Sequence, residues 1–154
     1  MDLGLYGKRA LVTGASAGLG FATAQMLAAE VCEVIINSRN AARLSAAAVR
    51  IGDATGKIPR CVQGDLAIDA DIARILDELN VVDGLTDVDI FVFNNGGPPA
   101  GLFDKQPPHN CEIGYQLILK AAVEMTRGLL NGMIARKWGR LLYITSIAAL
   151  QPID

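Results

Sequence analysis

LVTGASAGLG, Leu11–Gly20, is a short apolar run that ends in threonine and opens into three glycines; the segment after it, FATAQMLAAE (Phe21–Glu30), reads as a helix. A strand that stops at Thr13-Gly14 and turns into a helix near Gly18-Leu19-Gly20 makes an anion site. The helix N-terminus offers unpaired N–H groups and a partial positive charge. Gly14 can take backbone angles that other residues resist. Gly18 lets a pyrophosphate approach the backbone, and Gly20 lets the helix pack close to the strand. Ser16 can donate its hydroxyl to phosphate or cap the helix. The glycine spacing alone also suits a tight turn. Its place after a strand, before a helix and at the head of an alternating pattern points to nucleotide binding.

Outward from that turn, β-rich runs alternate with helical stretches. The runs are Arg9–Thr13, Glu33–Ser38, Arg60–Gly64, Asp89–Asn94 and Arg140–Thr145. Most are nearly continuous in apolar residues, as strands buried on both faces of a parallel sheet are. Between them lie helices at about Leu19–Glu30, Ala41–Ile51, Asp69–Leu79 and Glu112–Lys137. The order predicts an α/β fold: a doubly wound parallel sheet in three layers, α/β/α, forming one Rossmann-type domain over 1–154. In the last helix Ile113, Leu117, Ala121, Met125, Leu129 and Met133 step by four, and Ile118, Ala122, Leu130 and Ile134 widen the stripe. That broad apolar face can meet the sheet, a neighbouring subunit, or both.

Composition narrows the function. Of 154 residues 51% are apolar and 19% charged, which excludes disorder. Fourteen basic and sixteen acidic residues give a net charge of -2 with no basic run, so no nucleic-acid footprint is expected. No apolar run is long enough for a bilayer span, and MDLGLYGKRA is no signal segment. Cys32, Cys61 and Cys111 are scattered without a CxxC; they read as reduced core thiols of a cytoplasmic protein, with no metal site.

The second strand refines the ligand. NAD-binding versions of this fold carry an acidic residue at its end, for the ribose hydroxyls. Here the residues are Asn37-Ser38-Arg39. Ser38 leaves room, and Arg39 can pair with a 2′-phosphate through its planar fork. That favours NADP over NAD; the bland alternative is a solvated arginine opening the next helix. The missing carboxylate also counts against a Rossmann-like methyltransferase.

At this point the chain resembles a family, the short-chain dehydrogenases/reductases. Thr13–Gly20 is similar to their TGxxxGxG fingerprint, and Gly64-Asp65-Leu66 to the acidic turn after the third strand. Asn94-Asn95-Gly96-Gly97 resembles their NNAG motif, and Trp138-Gly139-Arg140 with Leu141–Ser146 their fifth strand. The resemblance implies strand order 3-2-1-4-5, with Asp65 on the adenine amino group, Asn94 bracing the sheet and Gly96 letting a ribose lie close. It implies hydride transfer between NADP(H) and a carbonyl or secondary alcohol, as in a 3-oxoacyl reductase, with Ser146 holding the substrate oxygen. It also implies homo-oligomers built partly on the fourth helix.

Three departures stand out. Ile118 occupies the position of the family's relay asparagine, and isoleucine neither donates nor accepts. Val31 stands where a glycine usually closes the first helix; being β-branched, it is expected to resist a left-handed cap, so that helix should end differently. The family's YxxxK motif lies roughly a dozen residues beyond the serine, whereas the sequence reaches Asp154 eight residues after Ser146. The expectation is therefore an incomplete domain, truncated after the fifth strand, whose own catalytic competence is doubtful. Tyr143, inside the fifth strand, is no substitute, and His109 is expected on the surface in the loop before the fourth helix. The alternative is a non-catalytic dinucleotide-binding module or a truncated gene product.

Overall fold

A computed structural model describes residues 3–82, 85–99 and 101–146. Five parallel strands form its sheet: β1 (Arg9–Val12), β2 (Glu33–Ser38), β3 (Arg60–Gln63), β6 (Ile90–Phe93) and β7 (Arg140–Tyr143). Their order is β3-β2-β1-β6-β7, which is the expected 3-2-1-4-5 order of the long strands. The helices are α1 (Gly18–Ala29), α2 (Ala41–Thr55), α3 (Asp69–Leu79), α4 (His109–Gly114) and α5 (Ala121–Ala135). A pair of short antiparallel strands, β4 (Asn80–Val82) and β5 (Leu85–Thr86), follows α3.

Side chains alternate across a strand, so each central strand feeds two cores. Ala10, Val12, Ile36 and Val92 meet Ala24 and Ala28 of α1 and Leu44 and Ile51 of α2. On the other face Leu11, Ile35 and Phe91 meet Ile72 and Ile75 of α3 and Met125 and Leu129 of α5. The alanine-rich contact face of α1 brings that helix close to the sheet. Arg136, just past α5, holds the short antiparallel pair in place. Its guanidinium donates to the Thr86 carbonyl at 2.6 Å and the Val88 carbonyl at 2.7 Å, and pairs with Asp89 at 3.1 Å.

Several expectations are corrected. The fourth helix begins at His109, so His109 is helical, though exposed as expected. A π-helical turn at Tyr115–Lys120 joins α4 to α5. The step-of-four stripe is buried from Ala121 through Met133, but Ile118, Leu130 and Ile134 are exposed. α2 runs one turn beyond Ile51 to Thr55. Strands at the sheet edges are not buried on both faces: β7 is exposed throughout, and only Val62 of β3 is buried. Only Cys32 is a core thiol; Cys61 and Cys111 are exposed.

Val31 overturns its expectation outright. It sits at φ 66, in the left-handed region. Its N–H donates to the Ala28 carbonyl at 3.2 Å, and the Cys32 N–H donates to Leu27 at 3.1 Å. This pair of bonds closes α1 in the form that usually takes glycine. The pull of buried Cys32 into the core holds the turn, despite the cost of a β-branched residue there.

Candidate active site at the carboxyl ends of the strands

Two residues lock the strand ends around the glycine turn. The Thr13 hydroxyl donates to the Asn94 carbonyl at 3.1 Å and accepts the Asn94 N–H at 3.0 Å. The Asn94 amide donates to the Gly14 carbonyl at 3.3 Å. Thus Thr13, which is fully buried, and Asn94 brace β1 against β6. Gly14 has φ 58, and a Cβ there would overlap the Asn94 carbonyl oxygen. A Cβ on Gly20 would collide with the Gly14 carbonyl, so α1 leaves the strand at the closest approach the backbone allows.

Gly18 differs from both. It too has positive φ, at 59, but open space surrounds the place of its Cβ. This is a surface kept clear, facing the first turn of α1. The N-cap of α1 is Ala17, which has no capping side chain, so Ser16 is not the cap. Among the described residues no side chain caps the first N–H groups of α1, and Ser16 lies beside them in the wall of a cleft. Leu19, in the same turn, is exposed.

That cleft, about 160 Å³, is lined by Gly14, Ser16, Ser38, Arg39, Leu66 and Gly96, among others. Ser38 is buried at its floor, with its hydroxyl 3.5 Å from the Asn40 carbonyl. Arg39 is exposed at its rim, its guanidinium 3.9 Å from the Asp65 carboxylate. No carboxylate stands at the end of β2 itself. Asp65 turns its other oxygen to the Ala67 N–H at 3.0 Å, which orders the loop after β3. Leu66 is buried under that loop, and Gly96 is open to solvent beside the NNAG-like turn.

Three supporting residues escaped the sequence reading. The Asn37 amide, inside β2, donates to the carbonyls of Val62 and Gly64 at 3.0 and 3.3 Å and ties β3 to the cleft. A buried asparagine in an apolar run was the signal for it. Asp71 accepts the Asp65 N–H at 2.7 Å. That bond, and then Arg74, holds the Asp71 carboxyl below the usual carboxylate range. Asn95 donates to the Leu117 carbonyl in the π-helical turn at 2.9 Å and accepts the Gly96 N–H at 3.0 Å. A π turn leaves a carbonyl without its helical partner, and Asn95 supplies one.

Asn95 also separates the cleft from a second cavity. This groove, about 800 Å³, is lined by Phe93, Ile118, Val123, Tyr143 and Ser146, among others. Ser146 is exposed just beyond β7, as the sequence placed it. Ile118 projects into the groove from the π turn, so the position of the relay asparagine is apolar in space as well as in sequence. Tyr143 is tied by its hydroxyl to Thr126 at 2.6 Å. Its ring packs edge-on to Phe91. It is a packing residue of the strand. Among the described residues no group of three acidic, histidine or cysteine side chains could hold a metal. No helix among the described residues is long and apolar enough to cross a membrane.

This arrangement, a parallel sheet with a glycine turn and two adjoining cavities at its carboxyl edge, occurs in proteins of known sequence and structure. The short chain dehydrogenase family pattern matches residues 8–154. The chain is 32% identical over 148 residues to a 3-oxoacyl-[acyl-carrier-protein] reductase of Aquifex aeolicus, covering 96% of this chain and 58% of that protein. It is 35% identical over 150 residues to a probable NADP-dependent dehydrogenase of Haemophilus influenzae, covering 93% of this chain and 55% of the other. The L-sorbose reductase of Gluconobacter frateurii, solved with NADPH and L-sorbose, superposes with a TM-score of 0.90 at 31% identity, over 99% of this chain and 57% of that one. The chain thus spans a little over half the length of the relatives it matches. With the family pattern running through the glycine turn, the Asn94 brace and β7 alike, the chain belongs to the short-chain dehydrogenase family.

Proposed function

We propose that this chain is the NADP(H)-binding part of an oxidoreductase that interconverts a carbonyl and a secondary alcohol, in the manner of a 3-oxoacyl reductase. The observation that carries the reading is the cleft beside the glycine turn. It has Ser38 at its floor, Arg39 at its rim and no carboxylate at the end of β2. A 2′-phosphate is a ligand for that combination, whereas a free ribose diol would lack its usual acceptor. NADPH in the L-sorbose reductase and the NADP-dependence named for the Haemophilus relative support it.

The residues fit the cofactor. Gly18 and the uncapped first turn of α1 would take the pyrophosphate, with Ser16 and Leu19 beside it. Asp65 and Leu66 would flank the adenine, and Gly96 would leave room for the second ribose. Thr13, Gly14, Gly20 and Asn94 act indirectly, by fixing the turn. When bound, the nicotinamide supplies or accepts the hydride. Ser146 would hold the substrate oxygen at the mouth of the apolar groove, whose walls suit a small organic carbonyl compound better than a charged polymer. The exposed strand β7 and the exposed apolar residues of α5 support homo-oligomerisation. Free cysteines support a reducing, cytoplasmic setting.

Titration of NADPH and NADH against the wild type and Arg39→Ala tests the reading. The wild type should prefer NADPH, and Arg39→Ala should lose about 1 kcal/mol or more of NADPH binding, a charge-assisted pair discounted for an exposed side chain. Equal affinity of the wild type for both cofactors overturns it.

A further inference from the structure

Arg39 is not alone at the cleft. Arg43 lines the same cavity, one turn into α2. Its backbone N–H donates to the Asn40 side chain at 2.9 Å, the N-cap bond of that helix. The two arginines therefore approach from different supports: Arg39 from the loop after β2, Arg43 from a capped helical turn. The backbone at Arg39 is itself held, because Gln63 donates to its carbonyl at 2.9 Å.

The charges around them do not balance. Five of the other arginines have anionic or aromatic partners, Arg60 donates to the Glu78 carbonyl, and Arg127, on the rim of the apolar groove, has neither kind among the described residues. Arg9 pairs with Glu33 and Asp87, Arg74 with Asp71 and Glu78, and Arg136 with Asp89. Arg50 stacks on Phe21 and Arg140 on Trp138. Arg43 has neither kind of partner among the described residues. Arg39 reaches only Asp65, at 3.9 Å, and Asp65 is also engaged with the Ala67 amide. Two guanidinium groups thus share one small cleft with a single, partly committed carboxylate. The N-terminal end of the α2 dipole adds to the same sign.

We propose that Arg43 is a second specificity-determining residue, and that it and Arg39 together take a phosphate monoester on the adenosine ribose. The assignment rests on the NADP(H) reading above and deepens it. A phosphate monoester carries nearly two negative charges and three acceptor oxygens at neutral pH. One exposed arginine neutralises half of that charge in high dielectric. Two arginines on separate supports can pair with different oxygens of one group, which an unphosphorylated ribose does not offer. On this account Arg43 adds nothing to the binding of NADH or of 5′-AMP.

The test uses 2′,5′-ADP and 5′-AMP as probes of the adenosine half, and NADPH and NADH as whole cofactors, by calorimetry on the 154-residue chain. Arg43→Ala should weaken 2′,5′-ADP and NADPH by about tenfold at low salt and leave 5′-AMP and NADH unchanged. Arg43→Lys should recover part of the loss, since it restores the charge without the fork. The salt dependence of 2′,5′-ADP binding should flatten in Arg43→Ala. Thermal melting should not change, because alanine is favourable at an exposed helix position. A loss below about threefold for 2′,5′-ADP, with Arg39→Ala still damaging, overturns the role of Arg43 and leaves the NADP(H) reading standing. An equal loss for 5′-AMP shows a structural effect and also overturns it. A wild type that binds 2′,5′-ADP no better than 5′-AMP overturns both.

Discussion

The two cavities at the carboxyl edge of the sheet meet at Asn95 and are made from opposite materials. The cleft beside β1 and β2 is small and polar. Its backbone is pinned by Thr13, Asn37, Asn94 and Asp71, and its strands are buried on both sides. The groove beside β7 is about five times larger and mostly apolar, and its outer strand is only partly covered. Leu141, Leu142, Tyr143 and Ile144 are 37–47% exposed, an unusual state for a β-prone run at a sheet edge. The first region is finished by contacts within the chain. The second presents surface that the described residues leave partly exposed. On the function proposed above, nucleotide recognition would belong to the rigid side, and the choice of substrate to the side with the more exposed surface.

The sharpest test of the rigid side is Gly14→Ala. The new methyl would overlap the Asn94 carbonyl, at a backbone angle alanine resists. Neither Thr13 nor Asn94 can yield without breaking the other's hydrogen bonds. The expected cost is about 4 kcal/mol or more by chemical denaturation, with loss of nucleotide binding. A variant that melts like the wild type would show that the turn is pliant, and the contrast between the two regions would fail.

Matched truncations on either side measure the contrast directly. Leu11, in β1, is fully buried between helix and sheet, and Leu11→Ala should cost about 2–5 kcal/mol. Leu142 makes the same chemical change at 47% exposure, and Leu142→Ala should cost under about 1 kcal/mol. If the two costs are alike, β7 is covered in solution. Light scattering over a concentration series then distinguishes a second copy, which would raise the mass with concentration, from a monomer that covers the strand itself.

The same division shows what was legible in the sequence. Apolar runs such as RALVT and EVIINS announce central strands because the buried sheet allows little else, and the step-of-four stripe marks the buried face of α5. The run RLLYIT reads identically, although β7 is exposed. Hydrophobicity records what a strand is suited to meet, not what meets it. The β4–β5 pair was missed because its strands are three and two residues long, too short for any period to show. The Asp83-Gly84 dipeptide between them was the available sign. The π turn leaves no trace in the spacing, since Ile113 before it, Leu117 within it and Ala121 just after it keep the step of four. The glycine turn is legible from its place between a strand and a helix, and Asn94 and Ser146 stand out by motif resemblance, whereas no local pattern marks Arg43, Asp71 or Asn95, whose partner Leu117 lies 22 residues away.

Val31 sharpens the contrast on a smaller scale, since it is a strained point within the rigid half. Its left-handed backbone costs a non-glycine residue about 1–2 kcal/mol, and its side chain is 39% exposed, so little packing would be lost with it. Val31→Gly should stabilise the protein by about 0.5–1 kcal/mol, the gain being reduced by glycine's greater freedom in the unfolded chain. Thermal and urea melts check this. Destabilisation would show that the valine side chain contributes more to the closure of α1 than its backbone costs.

The smallest expected effect concerns the support behind the cleft. Asp71, in the first turn of α3, accepts the Asp65 N–H at 2.7 Å and an Arg74 N–H at 3.1 Å. The amide first and the guanidinium second hold its carboxyl below the ordinary range. A carboxylate whose folded pKa lies below its unfolded value, about 3.9, adds stability that is fully present above the unfolded value. That stability is lost as the pH falls through the lowered folded value. Asp71→Asn keeps an oxygen for the Asp65 amide but not the charge. The variant should therefore melt slightly below the wild type from about pH 5 to 8, and the two should converge as the pH falls below about 3. The side chain is near the surface, so the gap should be small and should shrink in high salt. A gap that persists unchanged at about pH 2 would assign the role of Asp71 to the shape of its contacts and not to its charge. Loss of 5′-AMP binding in the same variant would show that the Asp65 loop needs that charge to keep the adenine side of the cleft in order.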